Sequence, residues 1–372
     1  MKILFNNNNL SGLVTFRIDI INHYIETGHD VILVAPDRNP ELEKKIPAAA
    51  TFIPLSGNRT SASIADNLSY FRQLYKIFKQ VKPDYIFNFT IKPNIYGSIA
   101  AKLLGIPNTC MLAGLGYAFA HNDFKSKVAR CLYRVALKCT QHVMLLNEGN
   151  CHTILEKRLC SQDKIIWLKG GEGVNLADYP MFDNTSDKVS FVFIGRLIPE
   201  KGYRVFVEAA REVKKKYPDA EFLVVGGLDR VYPDAIKNDE IERDVADGSI
   251  QYLGQISNML EVYGRAGSVV TIPSYYSEGL NRSLMEACSC GKPVITTTID
   301  GCKETVVDGL NGYLVEPRDA ASLVNAVEKY IKLSAEQKKQ MSLESRKLAE
   351  TRFDVKNVIA AYDDILPREK VI

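Results

Sequence analysis

Two glutamates eight residues apart, Glu278 and Glu286, bracket a glycine-containing turn in SEGLNRSLMEACSCGKPVITT, residues 277–297. The apolar run SVVTIP and a Ser-Tyr-Tyr loop come just before them, so Glu278 falls in a loop past a strand and Glu286 on the helix that follows. The turn Gly279-Leu280-Asn281 would present backbone N–H groups at a helix amino terminus, where unsatisfied donors and the helix dipole favour a diphosphate. Eight helical steps would separate the carboxylates by about 12 Å along the axis, comparable with a nucleotide sugar from hexose to ribose. Two carboxylates accepting sugar and ribose hydroxyls, with amides between them, would cradle such a donor. Ordinary capping chemistry at a helix start explains the same residue types, and the spacing by itself leaves both readings open.

A second cluster stands earlier, in FIGRLIPEKG, residues 193–202. A strand ends at Gly195, and Arg196 and Lys201 follow in a loop before a helix. Two cations at the carboxyl end of a parallel strand can neutralise a diphosphate and stabilise it as it leaves. Alone, this stretch also reads as a solvated loop; with the glutamate segment in the same half of the chain, the two suggest one site.

The elements that must hold these residues form two α/β series. In the first, strand-like runs at 1–5, 31–36, 51–55, 84–90, 108–112 and 141–147 alternate with helical patterns at 15–26, 64–81 and 94–104. In the second, strands at 190–195, 221–227, 249–254, 268–273, 292–297 and 312–317 alternate with helices at 202–216, 258–265, 282–290 and 319–333. Continuous apolar strands indicate parallel sheets covered on both faces. The expected architecture is two facing Rossmann-like, doubly wound domains, with ligands in the cleft between them at the carboxyl ends of the strands. The periodicity breaks in GGEGVNLADYPMFDNTSD near 170–186, and a last helix at about 355–367 is expected to return to the first domain. The domains are therefore expected at 1–176 plus 355–372 and at 177–354.

Bulk properties agree with a globular, two-domain chain of 372 residues, 46% hydrophobic and 24% charged. MKILFNNNN reads as a first strand and not a signal peptide, and no run is long enough for a membrane span, so a cytosolic protein is expected. Eight cysteines without paired C-x-x-C spacing read as buried free thiols, not as zinc ligands or disulfides. The net charge is +3; residues 1–185 hold 21 Lys and Arg against 15 Asp and Glu, and the remainder 26 against 29. Part of the basic excess lies in FKSKVARCLYRVALKCT, 124–140, read as an amphipathic helix. Phe124, Val128, Cys131, Leu132, Val135 and Cys139 share one face, flanked by Lys127, Arg130, Arg134 and Lys138. Such a helix can lie on an anionic membrane, or pack its apolar face into the core and keep a basic edge in water. The fingerprint of a nicotinamide site is missing from NNNNLSG, and no nucleic-acid motif is present.

The order GRL-x-x-EKG, VVGG, YLG and EG-x-x-x-x-x-x-E-A followed by GKPVI resembles the retaining glycosyltransferases of family 4, which have the GT-B fold. The resemblance spans the second half and implies the following roles. Arg196 and Lys201 would hold the donor diphosphate, Glu278 would touch the donor hexose, Gly279 and Leu280 would offer amides, and Glu286 would hold the ribose. Asn281 departs from the proline common in the family, which would add a backbone amide for the donor. The loop Asn9 to Gly12 would line the cleft beside the departing phosphate, with the family's glycine pair reduced to Gly12.

In the first half, KPDYIFNFTIKPNIYGSIAAKLLGIP, LAGLGYAF and LLNEGN look like the branch that builds capsule, O-antigen and lipid-linked oligosaccharides, including transferases acting on bacillosamine carriers. Thr90, Lys92 and Asn94, past the end of a strand, are expected to face the acceptor, with Lys92 on an acceptor phosphate. Gly114 and Gly116 would let the chain approach a sugar, or serve only a tight turn. Of five histidines only His121 is roughly placed for the reacting sugar, and none is given a catalytic role.

With no Asp-x-Asp motif, no metal or cofactor is called for, and the nucleotide sugar, uridine-linked by the family's habit, is the co-substrate. The resemblance implies front-face substitution with retention. A sugar-nucleotide epimerase of the same fold and a catalytically silent sugar-nucleotide-binding protein are the alternatives.

Overall fold

The computed structural model describes residues 1–36, 39–56, 63–116, 119, 123–229, 232, 234–276 and 278–367, apart from the Lys125 side chain. His121 lies outside the described residues. The chain divides into two units, Met1–Glu172 with Val355–Ile372 and Gly173–Asp354.

The first unit holds a seven-stranded, all-parallel sheet in the order β3-β2-β1-β4-β5-β6-β7. Its strands are β1 Lys2–Asn7, β2 Asp30–Ala35, β3 Thr51–Pro54, β4 Tyr85–Phe89, β5 Asn108–Leu112, β6 His142–Leu145 and β7 Ile165–Trp167. β4 and β5 are buried at every position, including the polar Asn88, Asn108 and Thr109, so neither strand alternates between a wet and a dry face. The helix Ile64–Val81 starts on Ser63, whose side chain accepts from the Asp66 N–H, and ends at Lys82 in the left-handed conformation. It buries Tyr70, Leu74 and Phe78 against Leu4, Ile32 and Ile86 of the sheet.

The stretch expected as one helix from 15 to 26 is two, Leu10–Phe16 and Ile18–Glu26. Arg17 breaks the register, and its side chain turns into the interior. After β4 the chain makes a π-helical turn, Pro93–Gly97, before the helix Ser98–Leu103. Gly97 is required there, because a Cβ would lie 2.2 Å from the Asn88 amide oxygen. The return segment supplies the helix Val355–Asp363, with Tyr362 fully buried 4.8 Å from the Phe87 ring and Asp363 3.0 Å from His23 Nε2.

The second unit holds a six-stranded parallel sheet in the order β10-β9-β8-β11-β12-β13. Its strands are β8 Ser190–Ile194, β9 Glu221–Val225, β10 Gln251–Gly254, β11 Ser268–Ile272, β12 Val294–Thr297 and β13 Gly312–Val315. Helices Tyr203–Lys216 and Ala320–Ile331 pack Phe206, Ala210 and Leu323 onto Phe191, Phe193 and Phe222. Lys292, in the GKPVI stretch, is buried with its ammonium on Asn184 Oδ1 and the Arg265 carbonyl, 2.8 and 2.9 Å away. Burial pushes that ammonium down to about 8.

All eight cysteines are free. Cys110, Cys288, Cys290 and Cys302 are buried thiols pushed up to about 12 by desolvation, whereas Cys131 is exposed, so burial does not extend to all eight as expected. Among the described residues no helix is long and apolar enough to cross a membrane.

Candidate functional site

In the second unit β8 and β11 are neighbours, while β9–β10 run off to one side and β12–β13 to the other. The loops after β8 and β11 therefore leave the sheet in opposite directions, which opens a crevice at their carboxyl ends. GRLIPEKG leaves β8 at this point and SYYSEGLN leaves β11. The two predicted clusters, some 80 residues apart in sequence, meet there: Lys201 Nζ lies 2.6 Å from Glu278 Oε1. Both side chains are largely buried, at 14% and 12% exposure.

Backbone chemistry sets this meeting. Gly202 ends the short turn Pro199–Lys201 with φ +86°, and a Cβ on it would lie 2.1 Å from the Pro273 carbonyl oxygen. Only glycine allows both the left-handed conformation and that approach. The Tyr275 N–H donates to the Glu200 carbonyl at 2.7 Å and ties the two loops a second time.

Glu278 Oε1 also accepts from Ser274 Oγ and Asn281 Nδ2, each at 3.1 Å. Arg196 stands further out, half exposed, with Nη1 3.3 Å from Asp229 Oδ2. The Tyr276 ring is near both cations, its centroid 5.8 Å from the Arg196 guanidinium and 5.7 Å from Lys201 Nζ, within cation–π range. Beside Arg196 a cavity of about 450 Å³ is lined by Gly195, Gly226, Gly227, Asp229 and Gln255, among others, at the ends of β8, β9 and β10.

Asn281 caps the helix Arg282–Ser289, its Oδ1 accepting from the Leu284 N–H. Its own N–H donates to the Gly301 carbonyl at 2.8 Å. The extra backbone amide expected for a donor is thus already used in holding the turn. Leu280 is buried, and Gly279 packs under the loop after β12, where a Cβ on Gly301 would meet the Gly279 carbonyl oxygen at 2.6 Å.

One helical face below, Glu286 is buried and accepts from Tyr179 Oη at 2.9 Å, Arg282 Nε at 2.8 Å and Tyr263 Oη at 3.1 Å. Desolvation, and after it the neighbouring Glu286 charge, drives both phenols well above the ordinary tyrosine value, so they remain neutral donors. Tyr179, Tyr263, Ser274, Tyr276 and Asp229 escaped the sequence reading. Ser274 and Tyr276, inside the Ser-Tyr-Tyr loop, and Asp229, two residues past VVGG, stood near a recognised motif.

The first unit has the equivalent switch between β1 and β4. Asn7 to Gly12 leave β1 there, and Thr90 to Asn94 leave β4. Thr90 sits at φ +70°, strained for a β-branched residue, with Oγ1 3.4 Å from Asn7 Oδ1. Lys92 is half-buried 5.8 Å from the Tyr70 ring; burial holds its ammonium below the ordinary lysine value, and Asp66 pulls the other way. Asn94 does not face an acceptor: it is fully buried, and its amide donates to the Met111 carbonyl at 2.7 Å.

Gly12 lies under Asn7, whose amide nitrogen would be 2.1 Å from an added Cβ, and its N–H is taken by Asn9 Oδ1 at 2.6 Å. Gly116 is left-handed at φ +57° with open space where a side chain would stand, so a turn requires it and not a close approach within the protein. Gly114 is half-buried in the same loop.

Two family models match the chain: glycosyl transferases group 1 over residues 188–332 and glycosyl transferase 4-like over residues 2–147. The chain belongs to these glycosyltransferases, and its two parallel-sheet units are those of the GT-B fold. It is 26% identical to the Campylobacter jejuni N,N'-diacetylbacillosaminyl-diphospho-undecaprenol alpha-1,3-N-acetylgalactosaminyltransferase, across 97% of this chain and 96% of that protein. It is 27% identical to an Escherichia coli UDP-Gal:alpha-D-GlcNAc-diphosphoundecaprenol alpha-1,3-galactosyltransferase, across 80% and 79%. Among solved structures, Anabaena HepE in complex with UDP superposes with a TM-score of 0.80 at 18% identity, covering 98% of this chain and 99% of that one.

Proposed function

We propose that the enzyme transfers a hexose or N-acetylhexosamine, with retention, from a UDP-sugar to a saccharide carried on a polyprenyl diphosphate, in the assembly of a bacterial surface glycan. The observation that carries this reading is the convergence of Arg196, Lys201 and Glu278 on the β8/β11 crevice, with Glu286 further along the adjoining helix. The second unit takes the donor and the first unit, through Thr90 and Lys92, the acceptor. The bacterial relatives named above act on undecaprenyl-diphosphate-linked saccharides, and the HepE neighbour binds UDP.

Lys201 and Arg196 neutralise the diphosphate as its bond to the anomeric carbon breaks. Glu278 accepts from hydroxyls of the donor sugar and Glu286 from those of the ribose. The acceptor hydroxyl forms its new bond on the face the diphosphate leaves, and a diphosphate oxygen takes its proton. The product anomer therefore matches the donor, where an inverted product would exclude this course.

A thermal-shift screen against UDP, GDP and ADP tests the donor. UDP at 100 times its dissociation constant is expected to stabilise the protein by about 2.7 kcal/mol. Glu286→Gln, which keeps the side-chain volume, is expected to lose most of that shift. No shift with any of the three nucleotides would remove the basis of the proposal. Product formed without an acceptor would instead favour an epimerase, and binding without any product a silent module.

The acceptor's lipid implies a membrane surface, and the helix Phe124–Cys139 offers the face for it. Its inner side buries Tyr133, Ala136 and Leu137 in the core of the first unit. Of the six apolar residues read as one face, Leu132 packs partly on that core, whereas Phe124, Val128, Cys131 and Val135 are exposed. Lys127, Arg134 and Lys138 are exposed beside them. An apolar stripe with a basic border suits an anionic bilayer. The triple reversal Lys127→Glu, Arg134→Glu, Lys138→Glu is expected to abolish flotation with vesicles containing phosphatidylglycerol; unchanged flotation would exclude this face.

A further inference from the structure

Asn281 makes two side-chain bonds that constrain each other. Its Oδ1 accepts from the Leu284 N–H at 3.3 Å as the cap of the helix Arg282–Ser289. That bond settles which end of the amide is which, so it is Nδ2 that donates to Glu278 Oε1 at 3.1 Å. The residue is only 4% exposed, and its backbone N–H on the Gly301 carbonyl fixes the main chain from which the amide projects. Proline, common at this position in the resembling family, can do neither. Serine and aspartate can cap, but serine is too short to bond the carboxylate as well, and aspartate brings a like charge against it.

The arrangement matters because Lys201 has two claims on it. In the structure its ammonium lies against Glu278; in the donor reading above, on which this inference rests, it must also serve a diphosphate. Once phosphate oxygens share that ammonium, Glu278 loses part of its counter-charge while it must stay ionised and aimed at a sugar hydroxyl. Ser274 Oγ has a single proton, for which the Glu200 carbonyl, 3.3 Å away, also competes. Among the described residues the Asn281 amide nitrogen has no such competing acceptor. We propose that Asn281 is a positioning residue for the transfer reaction, holding the Glu278 carboxylate in place while the donor diphosphate engages Lys201.

The experiment separates this role from capping. Asn281→Asp, Asn281→Ser and Asn281→Ala are compared with wild type by thermal melting, by UDP calorimetry and by UDP release. The release assay uses UDP-galactose and UDP-N-acetylgalactosamine with a synthetic polyprenyl-diphosphate-linked N-acetylhexosamine. Asn281→Asp and Asn281→Ser keep a capping oxygen and are expected to melt close to wild type, with Asn281→Ala lower. Turnover is expected to fall roughly ten- to hundredfold in Asn281→Asp and Asn281→Ser, the worth of a hydrogen bond to a charged group. Donor KM should change far less than kcat.

Wild-type turnover in Asn281→Asp and Asn281→Ser, or a loss carried by donor KM with kcat unchanged, overturns the proposal. So does a loss that merely tracks the melting temperature. If wild type itself binds no UDP, the donor reading fails and this inference fails with it.

Discussion

Lys201→Ala is expected to lower turnover by about 10²–10³-fold, equivalent to about 2.7–4 kcal/mol, while leaving the protein folded. Lys201 is the better buried of the two cations in the crevice, and low solvent exposure strengthens each interaction it makes with developing charge. The fold survives because Ser274 and Asn281 still bond Glu278, and because Gly202, not Lys201, provides the backbone contact with Pro273. Arg196→Ala is expected to cost less, since Arg196 is half exposed and already shares its charge with Asp229. The check is kcat for both variants beside their melting curves. A Lys201→Ala enzyme within threefold of wild type would sink the assignment of diphosphate neutralisation to this residue.

Arg17→Ala is expected to destabilise the first unit by about 3–5 kcal/mol, the range for removing one partner of a buried ion pair. Arg17 is 4% exposed, with Nη2 2.7 Å from Glu172 Oε2 and Nη1 donating to the Gly12 carbonyl at 2.8 Å. Its guanidinium also lies 4.6 Å from the Phe89 ring. Alanine would take the guanidinium away from the largely buried Glu172 carboxylate and release the loop that follows β1. The double change Arg17→Met with Glu172→Met is expected to recover much of the loss, because the cost comes from the stranded charge more than from the missing attraction. Trp167, the one tryptophan of the chain, lies in the first unit, so its fluorescence in a denaturant titration reads that unit directly. A single mutant as stable as wild type would show that the pair contributes nothing.

Arg17 also shows where sequence reasoning stops. The isoleucines at 18, 21 and 25 have helical spacing, and the pattern continues back to Thr15 without a visible break. At the break Arg17 turns inward to Glu172, a partner 155 positions away that no local window contains. Elements with self-contained signals were legible: the helix Ile64–Val81 has its serine cap and apolar period, and β8 is the apolar run Phe-Val-Phe-Ile after Ser190. Three-residue β7 was missed, because a strand that short in IIW has no periodicity to detect. The same division runs through the candidate site. Glu278, Glu286, Arg196 and Lys201 stood out by residue type and spacing, and the structure joins Lys201 to Glu278. The tyrosines on Glu286 come from positions 107 and 23 residues away, so only the folded chain could reveal them. Asn94 failed for the opposite reason: its position past β4 suggested a ligand, but the π-helical turn rotates its side chain into the interior.

The return of the chain to the first unit bears on the order in which the protein takes shape on the ribosome. The second unit is one continuous stretch, Gly173–Asp354, so every residue of its sheet has been synthesised before the helix Val355–Asp363 exists. The first unit starts earlier but is completed later. Until Tyr362 emerges, the space it fills beside Phe87 stays open, and His23 lacks Asp363. For the time needed to make some 180 residues, about 10–40 s at ordinary elongation rates, the nascent first unit exposes an aromatic face that the finished protein hides. Domain-by-domain folding from the amino terminus is therefore reversed at the final step. The half that the family model places second is closed first, and the amino-terminal half passes through an interval in which chaperones have a hydrophobic surface to hold.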